Sequence, residues 1–88
     1  MKIKASELKG KKVIDSEGYD LGVVEDFLIE DWTVKQLTIK YGGVFKKRYN
    51  LEINEIKSVG DNIILKESLK NLNIPNKVKK HLQTGKKE

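Results

Sequence analysis

The sequence predicts one small all-β barrel of about six strands, closed or partly open and antiparallel, with a short C-terminal helix behind it. Three observations lead there. The chain has 88 residues, too few to bury two separate cores. Between Lys11 and Lys66, short runs rich in Val, Ile, Leu, Phe and Tyr recur at close spacing, bounded by Gly, Asp and Asn. One of them, Val34 to Tyr41, alternates cleanly: Leu37, Ile39 and Tyr41 point one way, Gln36, Thr38 and Lys40 the other. Closing such strands on themselves removes the exposed edges that would otherwise recruit other chains.

The elements follow in order. Ser6-Glu7-Leu8-Lys9-Gly10 reads as one helical turn, with Ser6 as a cap and Gly10 as a left-handed stop. Lys11 to Asp15 is a short strand, and it enters a turn centred on the φ-permissive Gly18. Leu21 to Glu30 has strand composition but imperfect alternation, with apolar residues on both faces. Val24 and Leu28 share a face with Asp26, while Phe27 and Ile29 share the other. This predicts a bulge near Glu25-Asp26 or a second packed surface. Asp31-Trp32-Thr33 reverses the chain. After Val34–Tyr41 come Gly42-Gly43 and the basic tip Val44-Phe45-Lys46-Lys47-Arg48, and extended structure resumes at Tyr49. Ile53 to Ile56 is a connection, Lys57 to Val59 a strand, Gly60-Asp61-Asn62 a turn, and Ile63 to Lys66 the last strand. The expected interior is Val13, Val24, Leu28, Leu37, Ile39, Tyr49, Leu51, Ile56, Ile63 and Leu65.

The character changes at Ser68, which divides the chain into a β domain over 1–67 and a basic, partly helical tail over 68–88. Pro75 suits the start of a helix over about 76–84, and Gly85 would stop it. Val78 and Leu82 alone make a thin apolar stripe, so this helix is expected to dock weakly or fray. Residues 85–88 are expected to be disordered.

From Lys4 to about Glu67 the chain resembles the PRC-barrel family, which includes a domain of the photosynthetic reaction-centre H subunit and one of the bacterial ribosome maturation factor. The resemblance rests on Lys4-Ala5-Ser6-Glu7-Leu8-Lys9-Gly10 as an opening turn. Val13-Ile14-Asp15-Ser16-Glu17-Gly18 followed by Leu21-Gly22-Val23-Val24-Glu25-Asp26 is similar to the family's first hairpin. Tyr49 to Ile56 followed by Val59-Gly60-Asp61 is similar to its approach to the last hairpin. The chain departs from the pattern at Glu52 and Ile53, where many members carry proline. The resemblance implies a barrel fold, and the shortness of the chain looks like the stand-alone archaeal form.

No cysteine is present, which excludes disulfides, thiolate zinc sites and a cysteine nucleophile. His81, the single histidine, lies in the lysine-rich tail and reads as a solvated helix residue. Asp15, Glu17 and Asp20 crowd one turn without the spacing of a calcium loop, so turn-forming Asp with surface Glu is the preferred reading. Asp26, if it faces the interior, must be hydrogen-bonded, and a bond to a neighbouring loop backbone is expected. Gly42-Gly43 lacks the spacing and following helix of a phosphate loop. No enzyme activity, cofactor or metal is therefore expected. No apolar run exceeds three residues, far below the roughly 20 of a membrane-spanning helix, and the amino terminus lacks a signal-peptide core. A cytoplasmic protein is expected.

That leaves binding. The formal net charge of +5 favours an anionic partner such as RNA, an acidic protein face or an anionic membrane. Two surfaces are the leading candidates, and the basic tail is a third feature that could touch RNA or an anionic membrane, with an apolar face too narrow for stable membrane binding by itself. Val23, Phe27 and Ile29, with Trp32 at the turn, would form an outward apolar face suited to self-association or a protein partner, unless Leu69, Leu72 and Ile74 cover it. Phe45, Lys46, Lys47 and Arg48, beside Tyr49, interleave cations with aromatics as single-strand nucleic-acid binders do; a solvated tip with Tyr49 in the core is the plainer reading. The first surface makes the protein an interaction module or adaptor, with a homodimer as one form of it; archaeal relatives connect that role with cell division. The second makes it an accessory factor in RNA metabolism or ribosome assembly.

Overall fold

The structure, a computed structural model, describes residues 5–83. The expectations for Lys4, Gly85 and the disordered 85–88 fall outside that range. A 3-10 turn, Ala5–Glu7, opens the fold, and six strands follow: β1 (Lys12–Ile14), β2 (Asp20–Glu30), β3 (Thr33–Tyr41), β4 (Lys47–Glu52), β5 (Ile56–Val59) and β6 (Ile63–Leu65). They form a single sheet in the order β4-β3-β2-β1-β6-β5. The expectation of an antiparallel sheet holds for every pair except β1–β6, which is parallel. The edge strands β4 and β5 are joined by only the 3-10 turn Ile53–Glu55, so the sheet must curl until its two edges approach at that end. No ladder pairs β4 with β5 among the described residues, and the barrel stays partly open.

Two glycines permit the curl. Gly18 turns the first hairpin with φ +91°. Gly22 sits in β2 at φ +117°, where a Cβ would lie 2.5 Å from the Lys40 carbonyl oxygen. Only glycine lets β3 come that close.

The expected bulge is present. The β2–β3 register shifts between Val24 and Asp26, so Glu25 is the extra residue. Directly opposed residues share a face, and the shift reverses the faces beyond it. Before the bulge, Val24 lies with Ile39 and Tyr49 on the inner face; after it, Phe27 lies with Leu37 and Leu51. Nine of the ten expected interior side chains are buried. Leu28 is not, being 50% exposed, because the bulge has turned it to the outer face opposite Gln36.

Asp26 is corrected for the same reason. It points outward, 64% exposed, binds the backbone N–H of Phe27 and lies 3.8 Å from Lys9 Nζ. The buried carboxylate that ties loops together is Asp15, 2% exposed. Its Oδ1 accepts the N–H groups of Glu17 and Tyr19 (3.0 and 2.8 Å), and its Oδ2 accepts that of Leu69 at 2.8 Å. The turn-forming reading of Asp15 is thus what the structure shows, with the C-terminal segment as an added partner.

That segment does not dock weakly. Leu69, Leu72, Ile74, Val78 and Leu82 all join the central apolar cluster. They are carried by a 3-10 turn, Leu69–Asn71, and the helix α1, Asn76–Leu82, which begins directly after Pro75. The stripe of Val78 and Leu82 is thin only when α1 is considered alone. Leu69, Leu72 and Ile74 extend it, and the five together meet the open barrel.

Candidate functional site

The outward face expected from Val23, Phe27, Ile29 and Trp32 is not one face. Val23 lies in an outer row with Lys40 and Arg48, half-buried. Phe27 turns inward against the core, and the Lys9 ammonium stands 5.5 Å from its ring centre. The bulge separates them. Most of the outer surface of β2–β4 is instead a polar lattice. The Gln36 amide donates to Glu52, the Thr38 hydroxyl to Asn50, and Arg48 makes a two-pronged bond to Glu25, with Nη2 3.0 Å from Oε2. That guanidinium holds the Glu25 carboxyl below the usual carboxylate range.

Of the described large apolar side chains, the exposed ones lie at two places, the end of the β2–β3 hairpin and Val44-Phe45 in the β3–β4 loop. Leu28 points to the outer face and Ile29, opposite Val34, to the inner one, each about half exposed. Trp32 at the tip is 99% exposed. The Glu30–Thr33 pair closes a two-residue turn in which Asp31 and Trp32 both have positive φ, +52° and +64°. This is the type I′ turn, whose second central position favours glycine. A bulky residue there is strained by roughly 1–2 kcal/mol and finds no packing in return. The C-terminal segment does not cover this tip: α1 lies over the other end of β3, with the His81 ring 5.2 Å from that of Tyr41.

At that other end the Tyr41–Lys47 pair closes the β3–β4 loop. Gly42 holds the loop at φ +96°, where a Cβ would meet the Phe45 carbonyl oxygen at 2.7 Å. Phe45 is 82% exposed and Lys46, Lys47 and Arg48 are exposed, whereas Tyr49 is in the core. The Tyr49 hydroxyl donates to the Leu21 carbonyl at 2.8 Å, and burial pushes its pKa well above the ordinary tyrosine value. Between β4 and α1 lies a cleft of about 650 Å³ lined by Lys47, Arg48, Lys77 and Lys80, with Tyr41 and His81. The sequence offers both basic stretches, the β4 tip and the tail, as separate features and does not bring them together. The lysine-rich composition of the tail was visible; its placement against β4 was not.

The PRC-barrel domain model matches the chain over residues 1–72. The chain belongs to the PRC-barrel family. Its barrel is similar to that of a Pseudomonas aeruginosa protein assigned to 16S ribosomal RNA processing, RimM, with TM-score 0.60 and 19% identity. That similarity covers 77% of this chain and 45% of the other, so the chain spans less than half of that protein's length. At this identity the likeness shows a shared fold. No curated protein sequence matches the chain. Within this PRC-barrel, the family match stops before α1, so the lysines of that helix lie beyond what the family pattern describes. No helix among the described residues is long and apolar enough to cross a membrane.

Proposed function

We propose that the protein is a non-catalytic, cytoplasmic interaction module of the PRC-barrel type that docks a protein partner through the tip of the β2–β3 hairpin. One observation carries the reading: Trp32 is held fully exposed in a left-handed conformation that glycine would adopt without strain. An arrangement that costs stability and buries nothing is supported by an aromatic anchor awaiting a pocket. Leu28 and Ile29 flank it on the two faces and would seal the rim. Self-association through the same tip falls within this reading, as does the adaptor role in archaeal cell division that the family resemblance suggests.

Trp32→Gly tests it. Aspartate followed by glycine is a preferred type I′ pair, so the variant should gain roughly 0.5–1 kcal/mol in urea denaturation. It should also lose the partner. Sedimentation of the pure protein reports self-association, and quantitative capture from the native cell reports other partners. The wild type should retain proteins that the variant does not, and retention should persist at high salt as an apolar contact does. Identical sedimentation and identical captured proteins for the two would end the proposal.

A second reading, an accessory role in RNA metabolism or ribosome assembly, is favoured by the basic cleft beside β4.

A further inference from the structure

Two basic stretches distant in the chain, Lys46–Arg48 and Lys77–Lys80, become one surface when the C-terminal segment docks. The cleft between β4 and α1 has cations on both walls and, among the described residues, no carboxylate in its lining. Its cations differ in availability. Arg48 is engaged by Glu25. Lys47, Lys77 and Lys80 have no carboxylate partner among the described residues. A second groove, about 550 Å³, runs along the other side of α1 and shares Lys77 and Lys80, adding Lys70 and Lys79. The positive surface therefore continues around the helix, and among the described residues no acid lines this groove either.

Aromatic groups border the same cleft. Tyr41 forms edge-to-face contacts with Tyr49 at 5.5 Å and with His81 at 5.2 Å, which fix α1 over the first rung of the β3–β4 hairpin. Beyond that rung the Gly42-constrained loop presents Phe45 to solvent. Available lysines on two walls, with an exposed ring outside the lining but only two residues before Lys47 in the chain, meet the two requirements of single-strand binding, phosphate neutralisation and base stacking. A duplex would offer the phosphates but no open base face for Phe45.

We infer that the β4–α1 cleft binds single-stranded RNA, with Lys47, Lys77 and Lys80 on its phosphates and Phe45 under a base. RNA is chosen over DNA because its loops and ends are where unstacked bases are presented for recognition. The inference deepens the second reading above and is independent of the Trp32 tip at the far end of β3.

The experiment uses the full chain with fluorescent oligo(U) and oligo(dT) of equal length, titrated across a salt series. Wild type should bind oligo(U) with an affinity that falls steeply as salt rises. The double variant Lys77→Gln/Lys80→Gln should bind at least tenfold more weakly, with a salt slope shallower by about 1.4 for two lost phosphate contacts. Phe45→Ala should lose about tenfold with its salt slope unchanged, the mark of stacking. These residues are exposed, so thermal melts of the variants should match wild type. Lys57→Gln, on the opposite edge strand β5, should change nothing beyond a small uniform charge effect. If Lys57→Gln weakens binding as much as the cleft variants do, RNA is held elsewhere: the cleft assignment falls and the RNA reading survives. If oligo(U) is not bound at physiological salt, both fall. Oligo(dT) binding as tight as oligo(U) overturns the choice of RNA.

Discussion

At the residue scale, the side chains that matter most are polar groups placed where they cannot be replaced conservatively. Tyr49 is one. Its ring packs in the core while its hydroxyl reaches the Leu21 carbonyl, joining β4 to β2 across β3. Because burial raises its pKa, the folded state keeps the proton that the unfolded chain releases near pH 10. A raised pKa contributes stability that is complete below the unfolded value and is lost as pH climbs above it. Tyr49→Phe should therefore cost about 1 kcal/mol at neutral pH, from the lost hydrogen bond. Above pH 10 the order should narrow and then reverse, by up to about 1.4 kcal/mol per pH unit. Urea denaturation of both proteins at pH 8, 10 and 11 checks this; a constant difference would show that the hydroxyl is not sequestered. How much of this was legible varies by residue. Tyr49 as a core residue follows from its spacing from Leu51, and Gly22 from its place at the start of a strand. The acceptor of the Tyr49 hydroxyl, 28 residues away, does not follow from either.

At the scale of elements, the decisive joint is between the first hairpin and the C-terminal segment. Asp15 caps the turn after β1 through Glu17 and Tyr19, and the same carboxylate anchors the 3-10 turn Leu69–Asn71 through the Leu69 N–H. Asp15→Ala should cost at least about 3 kcal/mol, since it leaves buried donors unsatisfied on two elements at once. Amide exchange should rise at Tyr19 and at Leu69 together. If only the hairpin loosens, Asp15 is a turn residue and nothing more. The bulge in β2 shows the same dependence of one element on another. Apolar residues on both faces of Leu21–Glu30 announced it. Which of Leu28 and Phe27 it sent inside depended on the register against β3, and register is a pairwise property.

At the scale of the molecule, the two candidate surfaces sit at opposite ends of one strand. β3 runs nine residues from Thr33 to Tyr41, which at ~3.3 Å per residue separates the Trp32 tip from the cleft by roughly 26 Å. Sites that far apart without shared partners should behave additively. Trp32→Gly combined with Lys77→Gln/Lys80→Gln should therefore bind oligo(U) like the lysine variant and capture protein like the Trp32 variant. A departure beyond about 0.5 kcal/mol in oligo(U) affinity would mean that the ends communicate through β3. An additive result fits a small adaptor that holds two different partners apart.

The sequence alone determined the all-β class, six strands in their order, nine interior side chains and the family, because these depend on local composition, side-chain period and glycine placement. Tertiary structure decided what required distant segments to meet. Closing the barrel's open side took Leu69 to Leu82 from a fraying tail into the core, since burying that apolar surface stabilises both partners. The same docking set Lys77 and Lys80 opposite Lys47. The β2 bulge dispersed the expected apolar face and left Trp32 at its tip, where only the backbone φ, invisible in a list of residues, marks it as strained.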